Sequence, residues 1–296
     1  MNLPQKLDLN SNDWKAVQFT AIFIGSVYIL FYTAIEKTLT CLTKRGIKNE
    51  RILRKRGRHK MGKYNFDEVI DRHGTDCLKY DFGMKRKGRD DLLPLWVADM
   101  DFRLPDEILD EFHKRIDHGI FGYTDPLDEY FAAMNHWFST RYGYTIEPEW
   151  VTLGAGIVYA LGTSVRAFTE KGDAMMVMQP VYYPFSEVIK NDGRRLVNCQ
   201  LRYENNHYSI DFEKMEKMIQ EEGVKALIFC NPHNPVGRVW TREELERVAE
   251  ICLKYNVIWM VDEMHCDFIF PGHTFTSCMS TVRSLRFTAP LERHSM

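Results

Sequence analysis

Short apolar runs alternate with helical segments along most of this chain, and this alternation restricts its fold more than any other feature. Uninterrupted apolar runs at 175–178, 226–230 and 257–261 indicate buried strands. Segments with apolar residues at helical spacing lie between these runs. A chain of this kind folds into a mostly parallel sheet with helices on both faces. The sequence therefore predicts the α/β class.

Further elements follow from the same spacing. Strands are predicted at 150–153 and 195–201, and helices at 108–116, 130–142, 185–190, 211–219 and 241–255. Asp211 is predicted to cap its helix, since a short carboxylate accepts from free amides of a first turn. Thr241 and Glu244 have the spacing of a capping box.

The domain organisation is predicted in three parts. Residues 1–60 form an N-terminal extension, residues 61–104 an arm or small-domain part, and residues 105–296 the large domain. Within the extension, the uncharged stretch 16–35 is long enough to cross a membrane as a helix. Ten Lys or Arg against one acid in 37–60 would keep the remainder cytoplasmic. The alternatives are a buried amphipathic helix and a domain that starts naturally at Met61.

The net charge and the cysteine pattern restrict the partners and the kind of protein that are expected. A formal net charge of −2 gives no reason to expect a nucleic acid as partner. Seven cysteines without a CxxC pair indicate reduced thiols in a cytosolic domain rather than a disulfide framework. No metal site is predicted.

Unusual residues cluster where the predicted strands end. The segments are GAG after 153, QPVYYP after 178, NPHNPVG after 230 and DEMHCD after 261. Ligands of parallel α/β sheets bind at the carboxyl ends of the strands. These loops are therefore predicted to form an active site.

Three of the four loops by themselves allow two interpretations. GAGI is either a phosphate seat at a helix N-terminus or a tight turn that needs glycine. Tyr182 and Tyr183 either stack on a flat ring or pack in the core. The X-Pro steps of NPHNP predict an extended, rigid loop. Asp262, which ends an apolar strand, either meets a cationic ligand or serves as a helix cap or structural ion pair.

In this order the loops resemble one family, the class I/II aminotransferase superfamily, and within it the cystathionine β-lyase branch of MalY/PatB-type C–S lyases. The resemblance covers residues 62–275. It is carried by WVADMDF (96–102), FGYTDP (121–126), QPVYYPF (179–185), NPHNPVGRVW (231–240) and DEMHCDF (262–268). It implies a fold-type I large domain and the cofactor pyridoxal 5′-phosphate (PLP).

The resemblance also implies a role for individual residues. Asp262 would pair with the protonated pyridine nitrogen, Asn234 with help from His265 would bind the 3-hydroxyl oxygen, and Tyr182 would stack on the ring. The backbone amides of Gly156, Ile157 and Val158 would hold the phosphate. WVADMDF would line the substrate side. Tyr123 would reach the cofactor phosphate of the neighbouring subunit in a homodimer.

The family's Schiff-base lysine has no counterpart in these residues. It would follow Asp262 by some thirty residues in the family, but the last lysine here is Lys254. In FTAPLERHSM, Leu291 and Glu292 stand where the family has Ser-Lys. No catalytic lysine and no substrate-carboxylate arginine are assigned, and the chain is expected to be C-terminally truncated and inactive.

The implied reaction is β-elimination from a cysteine S-conjugate such as cystathionine, which gives a thiol, pyruvate and ammonia. An aminotransferase of the same superfamily is an alternative. A non-catalytic, membrane-tethered binding or regulatory module is another. A dinucleotide-binding dehydrogenase is disfavoured, because GAGIVY lacks the full G-x-G-x-x-G pattern.

Overall fold

A computed structural model of the chain describes residues 64–89 and 91–281. The apolar segment 16–35, the basic segment 37–60 and the positions Leu291 and Glu292 lie outside these residues. Among the described residues, no helix has the length and apolarity needed to cross a bilayer.

The elements alternate as the sequence predicts. The described residues include the helices α1 (Gly83–Lys87), α2 (Asp106–His118), α3 (Asp128–Tyr142), α4 (Ile157–Phe168), α5 (Pro184–Asn191), α6 (Phe212–Glu222) and α7 (Arg242–Lys254). The strands are β1 (Ala174–Val177), β2 (Arg195–Asn198), β3 (Arg202–Glu204), β4 (His207–Ser209), β5 (Val224–Cys230) and β6 (Ile258–Asp262).

Four strands form a parallel sheet with the strand order β2-β1-β5-β6. In its register Val177 pairs with Asn198, and Cys230 pairs with Asp262. The predicted α/β class with a parallel sheet is confirmed. A separate antiparallel hairpin of β3 and β4, which the sequence analysis did not predict, turns through Asn205 and Asn206. Both have positive φ, as Asn tolerates in two-residue hairpin turns.

Helices cover both faces of this sheet. Met176, Leu227 and Phe229 belong to the core that also holds the buried residues of α6 and α7. Met175 and Ile228, their neighbours along the strands, belong to the core with α4 and α5. Because side chains alternate between faces along a strand, fully buried strands supply both cores.

The two predicted caps are confirmed. Asp211 Oδ1 accepts from the Lys214 amide at 3.0 Å at the start of α6. Thr241 Oγ1 accepts from the Glu244 amide at 3.2 Å, and Glu244 Oε2 accepts from the Thr241 amide at 2.8 Å. These contacts satisfy amides that lack partners within their helices.

The strand predicted at 150–153 is wrong. A 3-10 turn occupies Pro148–Trp150, and residues 151–153 lie outside any strand. The Trp150 amide donates to Glu147 O at 2.9 Å, and the Val151 amide donates to Pro148 O at 3.0 Å. Proline at the first position favours such a turn, and amides that bond locally cannot join a ladder.

The described residues divide into two compact units, one ending at Asp125 and the other beginning at Pro126. The three-part division at 60 and 104 stays a prediction. In the first unit, Arg72 Nη1 and Lys79 Nζ contact the Asp101 carboxylate at 2.6 and 2.9 Å. Both cations also pair with Asp99. The second unit contains the parallel sheet.

Candidate functional site

Three of the predicted loops leave the sheet at one edge. β1, β5 and β6 are parallel neighbours, so their carboxyl ends lie side by side. The loops that follow Val177, Cys230 and Asp262 start at this edge. This is the edge at which parallel α/β sheets bind ligands.

Asp262 is buried at the end of β6, with 7% of its surface exposed. Its Oδ1 accepts from the Met264 amide at 2.9 Å in a turn, and no helix begins at this point, so Asp262 does not cap a helix. Burial raises the pKa of this carboxyl, while the Met264 hydrogen bond and nearby His265 oppose the rise. Within residues 64–89 and 91–281, no Lys, Arg or His forms an ion pair with Asp262. A buried carboxylate without a cation is costly, which favours the cationic-ligand interpretation.

Tyr182 lies in the loop after β1, partly buried against the core that α4 and α5 share with the sheet. Its ring meets Phe185 edge-on at a centroid distance of 6.0 Å and Tyr183 at 5.5 Å. Burial raises the pKa of Tyr182, and electrostatic interactions with Tyr183 and Asp262 add to the rise. The loop that holds Tyr182 starts at the same edge of the sheet as Asp262.

Asn234 lies in the loop 231–240, which is a closed turn rather than the extended loop predicted from its prolines. The His233 amide donates to Arg238 O at 2.7 Å, and the Gly237 amide donates to His233 O at 2.8 Å. These bonds fold the loop back on itself. The backbone N–H of Asn234 donates to the Cys230 thiol at 3.5 Å, which connects Asn234 to the end of β5. The bonds before Pro232 and Pro235 are cis.

His265 and Asn234 line the same cavity, whose volume is about 410 Å³. His265 follows β6, and its ring lies 6.4 Å from that of Phe268. Its charge is among the causes that oppose the raised pKa of Asp262. The shared cavity brings His265 and Asn234 together, and the role of His265 toward the cofactor stays a prediction.

Gly156 precedes α4, which begins at Ile157. Gly156 has φ +141°, which L side chains rarely adopt, so the steric interpretation of this glycine holds. The first turn of α4 contains no acidic residue. Because α4 ends at Phe168 shortly before β1 begins, the N-terminus of α4 points toward the carboxyl edge of the sheet. Its free amides, including those of Ile157 and Val158, suit an anion.

Tyr123 belongs to the first unit, where its side chain is fully exposed. The segment WVADMDF lies in that unit as well. The predicted contact of Tyr123 with a neighbouring subunit stays a prediction.

Sequence reasoning missed His233, the third residue of the NPHNP motif. His233 is 1% exposed, and its Nε2 faces Met178 O at 3.1 Å and Pro180 O at 3.0 Å. Burial lowers the pKa of His233 to about 4. The neutral imidazole therefore joins the loop after β1 to the loop after β5. Its position between two prolines in a motif was the available signal.

Sequence reasoning also missed Glu263, although it lies beside Asp262 in DEMHCD. Its carboxylate accepts hydrogen bonds from residues of two different segments. An acid next to a predicted ligand residue is the signal that could have identified it.

The chemistry of this edge suits a flat cationic ring that carries a phosphate. Asp262 offers a carboxylate that forms no ion pair with the described residues, Tyr182 offers an aromatic ring, and Asn234 offers an amide. The N-terminus of α4 offers free amides. Among the residues that the structure describes, no three His, Cys, Asp or Glu side chains are placed to hold a metal ion.

Comparisons with known proteins agree with this chemistry. The family model "Aminotransferase class I and II" matches residues 90–288. Cystathionine beta-lyase PatB of Bacillus subtilis (strain 168) is 42% identical over 212 residues, which are 72% of this chain and 55% of PatB. The chain spans about half the length of the curated relatives it matches.

Solved structures of similar proteins contain PLP. Cystalysin from Treponema denticola, whose crystal structure contains pyridoxal 5′-phosphate, is similar with a TM-score of 0.70 and 38% identity. The match covers 75% of this chain and 57% of cystalysin. The PLP-bound C-S lyase from Staphylococcus hominis is similar with a TM-score of 0.71 and 34% identity, over 75% of this chain and 57% of that enzyme.

Proposed function

The chain belongs to the class I and II aminotransferase family, and from this premise we propose that its described residues form part of the cofactor site of a PLP-dependent carbon–sulfur β-lyase. One observation carries the proposal. Asp262, a buried carboxylate that forms no ion pair with the described residues, lies at the carboxyl edge of the sheet, where the loop of Tyr182 also starts.

Asp262 would hold a proton on the pyridine nitrogen of PLP. The protonated ring, when bound, supplies an electron sink for the negative charge that develops at the α-carbon of an amino acid. A cation beside Asp262 would lower its carboxyl pKa and offset the cost of its burial. The hydrogen bond from the Met264 amide fixes the direction of the carboxylate.

The other site residues would orient the ring. Asn234 and His265, which line one cavity, would bind the 3-hydroxyl oxygen. Tyr182 would stack on the ring and contribute roughly 0.5–1.5 kcal/mol beyond burial. The phosphate would lie at the N-terminus of α4, on the amides of Gly156, Ile157 and Val158.

The substrate class proposed is a cysteine S-conjugate such as cystathionine, cleaved to a thiol, pyruvate and ammonia. Two similarities support this choice over an aminotransferase: cystathionine β-lyase PatB is 42% identical, whereas the aspartate aminotransferases that also match are 28–29% identical, and the five motifs resemble those of the lyase branch. WVADMDF would line the substrate side. The intact site would be shared in a homodimer, with Tyr123 reaching the neighbour's phosphate.

A binding role without turnover is proposed for these 296 residues taken by themselves. They contain no lysine beyond Lys254, so they offer no residue at the family's Schiff-base position after Asp262. Loss of a positioned proton shuttle costs about 10²–10⁴ in rate. Membrane anchoring through residues 16–35, and the cytoplasmic location of the remainder, stay predictions.

Pyridoxamine 5′-phosphate tests the site, because it carries the same ring and phosphate and needs no lysine. We expect the purified chain to bind it in isothermal titration calorimetry, and Asp262→Asn to weaken binding by about 10- to 100-fold, the value of a hydrogen bond to a charged group. Asp211→Asn, the same change at a helix cap away from the site, should bind like the unchanged chain. Equal affinities for Asp262→Asn and the unchanged chain would remove the basis of the proposal.

Pyruvate release tests the reaction. With PLP and cystathionine, the 296-residue chain should release pyruvate no faster than free PLP does. If pyruvate release were faster than with free PLP, and if Asp262→Asn abolished the difference, the binding-only role would be wrong. The proposed lyase activity would then stand.

A further inference from the structure

Glu263 follows the site carboxylate, but its contacts lie elsewhere. Its Oε1 accepts from Asn231 Nδ2 at 3.1 Å and from the Cys278 amide at 2.7 Å. Its Oε2 accepts from Ser277 Oγ at 2.9 Å. Neighbouring side chains on an extended chain point to opposite sides, which separates Glu263 from Asp262.

Asn231 connects this cluster to the site. Asn231 is fully buried, and its amide N–H donates to Asp262 O at 2.9 Å. Its Nδ2 also donates to Thr276 O at 2.9 Å. Asn231 is the first residue of the loop that carries Asn234. The Glu263 carboxylate therefore joins the end of β5, the end of β6 and the segment 276–278.

We infer that Glu263 is a positioning residue of the site: through Asn231 and the segment 276–278 it holds the backbone at Asp262 and the loop of Asn234 in the arrangement that receives the cofactor ring. The link to the cofactor rests on the proposed function. The link between Glu263 and the two strand ends rests on the contacts alone.

The reach of the side chain, rather than its charge, is what this geometry requires. The donors to Glu263 are neutral groups: the Asn231 side-chain amide, the Ser277 hydroxyl, and the backbone N–H and thiol of Cys278. A glutamine of equal length keeps an oxygen for Asn231 and Cys278 and presents an NH₂ to the Ser277 hydroxyl, which can accept. Burial raises the pKa of Glu263, which favours the uncharged form that glutamine resembles. Aspartate keeps the charge but is one methylene too short to reach both segments.

Glu263→Asp and Glu263→Gln separate the effect of side-chain length from the effect of charge. Two measurements are made on each variant. In the ligand-free chain, hydrogen exchange of the Asn231 amide reports the bond to Asp262 O. Glu263→Asp should speed this exchange by about tenfold or more, and Glu263→Gln should leave it within about threefold. The dissociation constant for pyridoxamine 5′-phosphate should rise by about tenfold in Glu263→Asp and stay within about threefold in Glu263→Gln.

Asp211→Ala is the control for general loss of stability, since it removes a helix cap away from Asn231. It should lower the midpoint of urea unfolding without changing either measurement. Unchanged exchange at Asn231 in Glu263→Asp, or equal effects of both Glu263 variants, would overturn the inference. If the unchanged chain does not bind pyridoxamine 5′-phosphate, the proposed function fails, and the exchange measurement still decides the role of Glu263.

Discussion

At the scale of the residue, burial decides the chemistry of the groups at the carboxyl edge. Asp262 and His233 are both almost fully buried, and burial moves their pKa values in opposite directions. Low-dielectric surroundings disfavour the charged form, so the carboxyl pKa rises and the imidazole pKa falls. Neither shift is visible in the motif letters, because each depends on the segments that pack around the side chain.

His233 should make the stability of the chain depend on pH. Its pKa is about 4 in the folded chain and about 6.5 when unfolded, so the unfolded state binds the proton more tightly. The contribution of neutral His233 to the free energy of unfolding is fully present above about pH 6.5. It decreases as the pH falls toward about 4, by at most about 1.4 kcal/mol per pH unit. Urea unfolding at several pH values measures this slope.

A glutamine at this position can still donate to the carbonyls of Met178 and Pro180 but cannot be protonated. We therefore expect a smaller decrease in unfolding free energy between pH 6.5 and 4 for His233→Gln. His207→Gln, at an exposed position of β4, should keep the full slope. The same slope in all three proteins would contradict a buried neutral His233.

At the scale of the element, the start of α7 is tied to the site loop. Glu244 accepts from the Thr241 amide through one carboxylate oxygen and from Arg238 Nη2 through the other. Arg238 O accepts from the His233 amide. A local capping signal thus also supports the turn that carries Asn234. The capping box can be predicted from the sequence, but the contact between Glu244 and Arg238 forms only when the loop is folded.

Thr241→Ala should lower the free energy of unfolding by about 1 kcal/mol, within a range of about 0.5–2 kcal/mol, because the first turn of α7 loses an acceptor. Chemical denaturation at constant pH provides the measurement. Thr140→Ala makes the same chemical change at an exposed position in α3, where Thr140 Oγ1 donates back to His136 O. The control should change the stability by less than about 0.5 kcal/mol. If the Thr241 cap did not stabilise α7, Thr241→Ala and Thr140→Ala would have the same free energy of unfolding.

At the scale of the whole molecule, an exposed connection joins the two units. Residues 119–125, between α2 and α3, are exposed, and Phe121 and Tyr123 are apolar side chains among them. The proposed homodimer would bury Tyr123 against the neighbouring subunit. Exposure of this loop should therefore depend on association.

Limited proteolysis with chymotrypsin measures that exposure. We expect cleavage at Phe121 and Tyr123 in dilute protein, and a rate about tenfold lower when the protein concentration is raised well above the dimer dissociation constant. Cleavage at Tyr203, an exposed aromatic in the hairpin of β3 and β4, serves as the internal reference. Parallel loss of cleavage at both sites would indicate a general effect of concentration, and no loss at Tyr123 would contradict the dimer contact.

The sequence by itself determined the elements whose signals are local. The apolar runs of β1, β5 and β6, and the caps at Asp211 and Thr241, required only neighbouring residues, and the structure confirms them. The order of the loops, together with their family resemblance, also placed Asp262, Asn234 and Tyr182 at one edge. Parallel strands with crossover helices put their carboxyl ends together whatever the detailed packing.

Tertiary structure decided the contacts that join residues distant in the chain. The bond from Asn231 to Glu263, and those from His233 to Met178 O and Pro180 O, link segments that are 32 to 55 residues apart. The strand predicted at 150–153 is wrong for a related reason, because strand formation needs a partner and the Trp150 and Val151 amides bond locally. Local patterns specify helices and caps, whereas hydrogen-bond partners across loops exist only once the sheet has assembled.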